Sequence, residues 1–225
     1  MSVKVVTGFV PLVDHPRSAK EYETLGKRLL HMDIPLICAF QELTETWLYK
    51  FLLWNGDNTY THSISDNPKK NTVGYHVVQD QKFEWLVQAA YRDPADVFVW
   101  IDYGIFHVPG VTEQVILDFL AKVEGEKAIS IPGCWTRGYR DLTDDTHPNW
   151  RFCGGVMIVP KQHLLSFECV SKAAAMQWIL DTKNVSWEVN TLARLEETSR
   201  LPIWHYHADH NETMFTNYPG SGHGC

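Results

Sequence analysis

The run Val97-Phe98-Val99-Trp100-Ile101 has no polar residue on either face, and it stops abruptly at Asp102-Tyr103-Gly104. A strand of that kind has no side to give to solvent. It belongs in the middle of a sheet covered above and below, the situation of parallel strands in α/β proteins. The acid then falls at the strand's carboxyl end, where open α/β sheets bind their ligands. Two readings of Asp102 are equally open: a cap for the turn, or a hard oxygen ligand that holds a divalent cation against a diphosphate.

The rest of the first half repeats this unit. Val3 to Phe9 reads as a strand ending in Thr7-Gly8. Ser18 begins a helix with Tyr22, Leu25, Leu29 and Leu30 at helical spacing, and Ile34 to Phe40 reads as the next strand. Gln79 to Tyr91 is a helix with Phe83, Leu86, Val87 and Ala90 on one face, and it leads into Val97 to Ile101. Strands alternating with helices predict an α/β fold with a mainly parallel sheet and helices on its faces. The second half is less regular. A helix is expected over Val111 to Val123, a strand over Lys127 to Ile131, and a Gly/Asp-rich loop from Pro132 to Asn149. A strand entered through Gly154-Gly155 comes next and runs to Pro160. Helices are then expected from Lys161 to Phe167, from Ser171 to Asp181 and from Trp187 to about Glu197, before a closing strand Leu201 to His207.

Composition narrows the function. With 225 residues, 44% of them hydrophobic, the chain can bury a full core, and one domain over residues 1–225 is expected. A net charge of -7 without a Lys/Arg cluster argues against a nucleic-acid partner, so an anionic ligand would need a bound cation or a few placed basic residues. No transmembrane segment or signal-like stretch is read, which leads to an expected cytoplasmic location. The cysteines are odd in number, 5, and lack any CxxC spacing, which argues against a disulfide framework and against a cysteine-rich zinc site. The sequons at Asn184 and Asn211 are expected to be idle in that location.

Taken in order, the landmarks Val6-Thr7-Gly8-Phe9, Trp100-Ile101-Asp102-Tyr103-Gly104, Phe152-Cys153-Gly154-Gly155-Val156-Met157, Trp187-Glu188-Val189-Asn190 and the His-rich closing strand resemble nucleotide-sugar-dependent glycosyltransferases of the GT-A type. The resemblance covers nearly the whole chain. It is greatest to HtrL/YibB-like proteins and to the small N-terminal glycosyltransferase domain of chlorella viruses that acts on the major capsid protein. It implies a GT-A-like single domain, with a nucleotide-binding half over about 1–104, a donor-sugar and acceptor half over 105–218, and a flexible tail over 219–225.

By the same resemblance Thr7, Gly8, Phe9 and Phe40 would hold the nucleoside, Arg17 the diphosphate, and Lys82 the nucleotide sugar. Gly154 and Gly155 would run bare backbone past the donor. Glu188 would be the catalytic acid near the anomeric carbon, acting as base or nucleophile. Where the family has Asp-X-Asp, this chain has Asp102-Tyr103-Gly104, so the implied Mn²⁺ or Mg²⁺ needs a second ligand. Strand alternation puts His205 and His207 on one face, and either is expected to supply it. Core packing remains open for Phe9 and Phe40, a solvated helix position for Lys82, a tight turn for the glycines, and a helix first turn after Ser186 for Glu188. Trp135, Trp150 and Trp187 are expected near the acceptor, and the loop from Gly133 to Asn149 as a lid.

The function so implied is metal-dependent transfer of a hexosyl or deoxyhexosyl group from a UDP-sugar to a hydroxyl of a glycan or glycoprotein, such as a viral capsid glycan formed in the host cytoplasm. A nucleotidyltransferase is disfavoured, because Thr7 to Ser18 carries only Gly8 and Arg17 where a Gly-rich, basic phosphate loop is needed. A non-catalytic sugar-binding module with a degenerate GT-A fold is the remaining rival.

Overall fold

The computed structural model describes residues 2–12, 17–56 and 59–221. In chain order its elements are β1 (Val3–Phe9), α1 (Ala19–Leu30), β2 (Leu36–Phe40), α2 (Trp47–Asn55), β3 (Thr61–His62), α3 (Val73–Asp80), α4 (Lys82–Arg92), β4 (Val97–Ile101) and α5 (Glu113–Val123). They continue with β5 (Ile129–Gly133), β6 (Val156–Pro160), α6 (Lys161–Thr182), β7 (Asn184–Val185), α7 (Glu188–Thr198), β8 (Ile203–His207) and α8 (Thr213–Thr216).

Six strands form one sheet in the order β2-β1-β4-β6-β5-β8. As expected, the sheet is mostly parallel. Strand β6 alone runs against both of its neighbours, β4 and β5. All five residues of β4 are buried, and they alternate between two cores. Val97, Val99 and Ile101 pack with Leu29 of α1 and with Ile116 and Phe119 of α5. Phe98 and Trp100 pack with Phe83 and Leu86 of α4, Phe167 of α6 and Leu192 of α7. Helices on both faces therefore explain the uninterrupted apolar run.

Helix α1 starts where expected. Ser18 and Glu21 form a reciprocal capping box, with Ser18 N donating to Glu21 Oε2 at 2.8 Å and Glu21 N to Ser18 Oγ at 3.3 Å. Elsewhere the boundaries move. The helix expected from Gln79 is two helices broken at Gln81, whose side-chain Oε1 accepts from Trp47 N at 3.1 Å. The helices expected over Lys161 to Phe167 and Ser171 to Asp181 are the single helix α6. No Gly or Pro interrupts it, and Lys183 ends it at φ 58°. Strand β5 begins at Ile129 rather than Lys127 because Glu126 Oε1 accepts from both Lys127 N and Ala128 N, which holds those residues in a turn. In the expected tail, Ser221 is bonded to Lys122 O and Glu124 O beyond α5, and residues 222–225 lie outside the described residues.

The antiparallel sense of β6 brings two loops together at one end of the sheet. Because Ile101 pairs with Val156, the segment entering β6 stands beside the segment leaving β4, and Asp102 N donates to Gly155 O at 3.0 Å. No helix among the described residues is long and apolar enough to cross a membrane.

Candidate active site

The break at Gln81 sets Lys82 in the first turn of α4, under the carboxyl end of β4. Its side chain is 3% exposed, and its Nζ donates to Gly154 O at 2.9 Å and to Glu188 Oε1 at 2.9 Å. Asp102 Oδ1 lies 3.2 Å from the same ammonium and also accepts from Trp100 Nε1 at 2.7 Å. One buried lysine thus joins the exit of β4, the entrance of β6 and the start of α7. Burial on its own would lower the Lys82 pKa, but Asp102 and then Glu188 outweigh it and hold the ammonium above its ordinary value.

A cavity of about 150 Å³ opens above this group. Lys82, Asp102, Glu188, Gly154 and Gly155 line it together with Gly8 and Phe9 from the end of β1. Two further cations, Arg17 and Lys70, stand in its wall. Lys70 lies over the rings of Trp187 and Tyr75 at 5.9 and 6.0 Å. Burial draws its pKa below the ordinary value, and the nearby Arg17 pushes in the same direction. Two cations near enough to disfavour one another thus stand in this wall although the chain carries a net charge of -7. Trp150 and Trp187 complete the wall, meeting edge to face at 5.9 Å.

Most of the residues expected from the sequence meet here, several for reasons of their own. A Cβ on Gly8 would overlap the Trp85 ring, and one on Gly154 would overlap Glu188 Oε1, so both glycines serve close packing within the protein as well as lining the cavity. Gly155 has room for a Cβ, 3.7 Å from Asp102 Oδ2. Phe9 sits among Tyr103, Tyr22 and Phe40 at 5.0, 5.6 and 6.4 Å. Phe40 is 64% exposed and outside the lining, so it is not a core residue. Thr7 is fully buried and outside the lining. Trp187 is the N-cap of α7 and makes no side-chain cap; Ser186, expected to cap it, instead donates to Asp145 Oδ1 at 2.5 Å.

The closing strand behaves differently from its expected role. His205 shares a hydrogen bond of 3.0 Å with Gly133 O and packs on Phe152, and its pKa falls to about 4, chiefly through burial. His207 is exposed on the edge strand β8, and neither residue is among those that line the cavity. The chain turns back after β8, with Ala208 N donating to Gly133 O, and His210 reaches the cavity instead. There its Nδ1 lies 3.5 Å from Cys134 Sγ, which is 3.6 Å from Cys153 Sγ. Among the described residues, Asp102 and Glu188 are the only carboxylates in the lining, and both are engaged by Lys82. His205 and His207 lie outside the cavity, whereas His107 and His210 line it, so the residues present that could hold the Mn²⁺ or Mg²⁺ the resemblance implies are Asp102 and Glu188 with those two imidazoles.

The loop expected to be a lid is anchored. Arg137 pairs with Glu197 of α7, and Asp145 is buried against Arg194 at 3.1 Å. Trp135 packs on Tyr139, away from the cavity lining. Sequence reasoning misses Lys70 and Tyr75; the Asn67-Pro68-Lys69-Lys70 turn, with paired lysines after a proline, is the available signal for the first.

No family model matches the sequence, and no curated protein matches it. Among solved structures, a glycosyltransferase involved in the glycosylation of the major capsid of PBCV-1 superposes with a TM-score of 0.50 at 13% identity, covering 93% of this chain and 82% of that one. Mouse xyloside xylosyltransferase 1 in its apo form gives 0.45 at 10% identity over 93% and 86%. A 4-diphosphocytidyl-2C-methyl-D-erythritol synthase from Anaerococcus prevotii gives 0.41 at 11% identity over 99% and 91%. The first of these likenesses identifies the α/β fold as GT-A-like.

Proposed function

We propose that the chain transfers a glycosyl group from a nucleoside-diphosphate sugar, with UDP as the nucleotide, to a hydroxyl of a glycan or glycoprotein. The observation that carries this reading is the Lys82 ammonium, bonded to Asp102, Glu188 and Gly154 at the end of β4 in a cavity that Arg17 and Lys70 also line. Three cations around a cavity at the carboxyl ends of β1 and β4 suit a diphosphate, with Arg17 able to fork onto phosphate oxygens. In this arrangement Phe9, Phe40 and Tyr103 receive the nucleoside on the β1–β4 side, and Trp150 and Trp187 face the sugars.

The chemistry follows from the charges. As the bond from the anomeric carbon to the diphosphate breaks, its electron pair passes to the phosphate oxygen, and Arg17, Lys70 and Lys82 stabilise the charge that develops there. Among the described residues Glu188 Oε2 has no hydrogen-bond partner, and it belongs to a cavity-lining side chain, so we place it opposite the positive charge that builds on the sugar. The acceptor oxygen then bonds to that carbon and loses its proton.

Calorimetric titration with UDP and a panel of UDP-sugars tests the reading. Saturable UDP binding is expected with or without added Mn²⁺, and it should weaken at least about tenfold in a combined R17A/K70A variant, whose loss removes two phosphate contacts. Absence of UDP binding under both conditions would overturn it.

A further inference from the structure

The cluster at Cys134, Cys153 and His210 has no part in glycosyl transfer as proposed. Its donors come from three places: the residue after β5, the segment entering β6 and the segment after β8. We propose that these three residues bind a zinc ion.

The distances are those a tetrahedral ion imposes. With Zn–S near 2.3 Å and Zn–N near 2.0 Å, two sulfurs on one ion lie about 3.8 Å apart and a sulfur and a nitrogen about 3.6 Å apart. The structure has 3.6 Å between Cys134 Sγ and Cys153 Sγ, and 3.5 Å between Cys134 Sγ and His210 Nδ1. All three donor atoms lie within 4.8 Å of one another, and a small rotation of the exposed His210 ring closes the remaining edge.

Each ligand is also held by its backbone. Cys134 N donates to Trp150 O at 3.0 Å and Cys153 N to Pro132 O at 2.6 Å, so the two cysteines are tied to adjoining segments. Past His207, Ala208 N donates to Gly133 O and Asp209 N to Thr213 Oγ1, both at 2.9 Å, which fixes the turn that presents His210. The His210 ring stands edge-on to Trp150 at 4.4 Å. A site whose ligands are placed before the ion arrives loses little freedom on binding it.

Two thiolates and an imidazole are soft and borderline donors, which select zinc over the hard Mn²⁺ and Mg²⁺. On binding, both thiols release their protons to solvent and the ion takes the two sulfurs and the nitrogen, leaving a fourth position for water. The ion would pin the entrance of β6, one residue before Gly154, whose carbonyl accepts from Lys82. It would therefore brace the floor of the cavity without taking part in glycosyl transfer, and its presence does not depend on that activity.

The test is elemental analysis of the reduced full-length chain expressed in zinc-replete medium, followed by replacement of the ion with Co²⁺. One zinc per chain is expected, with the thiolate-to-cobalt charge-transfer band and the ligand-field bands of a tetrahedral site. C134S should abolish that charge-transfer signature or cut it by about half, since one of the two thiolates is lost, and H210A should weaken zinc affinity at least about tenfold. H210A changes an exposed side chain, so it keeps the question answerable if C134S does not fold. C169S, on the exposed face of α6, should leave zinc content unchanged. Absence of zinc and of any cobalt–thiolate band in the native chain would overturn the proposal, and so would zinc that persists undiminished in H210A.

Discussion

The molecule buries two carboxylate clusters, and they are built on opposite plans. Around Asp145 every oxygen is taken. Oδ1 accepts from Ser186 Oγ, Asn190 Nδ2 and Arg194 Nη1 at 2.5, 2.6 and 3.1 Å, and Oδ2 accepts from Asn184 Nδ2 and Ser63 Oγ at 2.6 and 3.4 Å. Around Lys82 the bonding is incomplete. One ammonium serves two carboxylates and a carbonyl, and among the described residues neither Glu188 Oε2 nor Asp80 Oδ1 has a hydrogen-bond partner. Burial drives the Asp80 carboxyl well above the ordinary range, and Glu188 adds to the shift. The Asp145 carboxylate, with Arg194 Nε beside it left without a partner among the described residues, fastens a loop to β7 and α7. In the Lys82 cluster the unpartnered oxygens are left beside a cavity that Glu188 lines, so the two clusters differ in how fully their carboxylates are bonded.

The largest effect expected of this contrast comes from K82M. It strands Asp102 and Glu188 without their cation and should cost about 3–5 kcal/mol in denaturant unfolding, with UDP binding lost in whatever remains folded. D145A should cost a similar amount by the same measurement, because it leaves Arg194 buried and unpaired, while UDP affinity of the folded protein stays within about twofold of the native value. Comparable loss of UDP binding in both variants would erase the distinction between the clusters.

E188Q is expected to reduce the transfer rate about 10²-fold or more with a smaller loss of unfolding free energy than K82M, since Asp102 still pairs with Lys82, read by turnover and melting on the same sample. D80N should act the other way and raise stability by about 1 kcal/mol at neutral pH. The sign comes from proton linkage: once pH exceeds the ordinary carboxylate range, the unfolded chain releases its Asp80 proton while the folded chain keeps it, so stability declines with pH until the raised folded value is reached. D80N should remove that decline.

The last effect lies outside both clusters and is absent at neutral pH. His76 is fully buried, and its pKa falls to about 3, chiefly by desolvation. Between the ordinary value of 6.5 and about 3 the unfolded chain binds a proton that the folded chain refuses, so stability drops by about 1 kcal/mol per pH unit on acidification. H76Q should flatten that slope in a series of urea melts.

Legibility in the sequence divides along the same line between regular and irregular parts. Strand β4 can be read because burial on both faces leaves a continuous apolar run, and its exit at Asp102 can be read because a single polar residue ends that run. Glu188 is reached through motif order and Lys82 through the family resemblance alone, and the fold joins them although they are 106 positions apart. Period-two alternation correctly puts His205 and His207 on one strand, but it is blind to the reversal at Ala208 that turns His210 inward. Spacing rules for metal ligands fail at Cys134 and Cys153 for a related reason: they detect ligands on one local loop, and these lie 19 residues apart on segments joined only by the sheet. Lys70 has only the paired lysines after Pro68 as its signal, because the segment around it has short elements without a period.

The bare α-carbon of Gly154 has a bearing on descent as well as on packing. The space a methyl group would need there is filled by the Glu188 carboxylate, with Lys82 Nζ 3.3 Å from the same point. Neither position is free to drift first, since a side chain at 154 meets the acid and a larger group at 188 meets the backbone. Homologues assembled by recombination would inherit this constraint as linkage: a crossover between 154 and 188 joins a floor from one parent to an acid from the other. Shuffled libraries of this fold should accordingly be depleted of such junctions unless both parents carry the same pair.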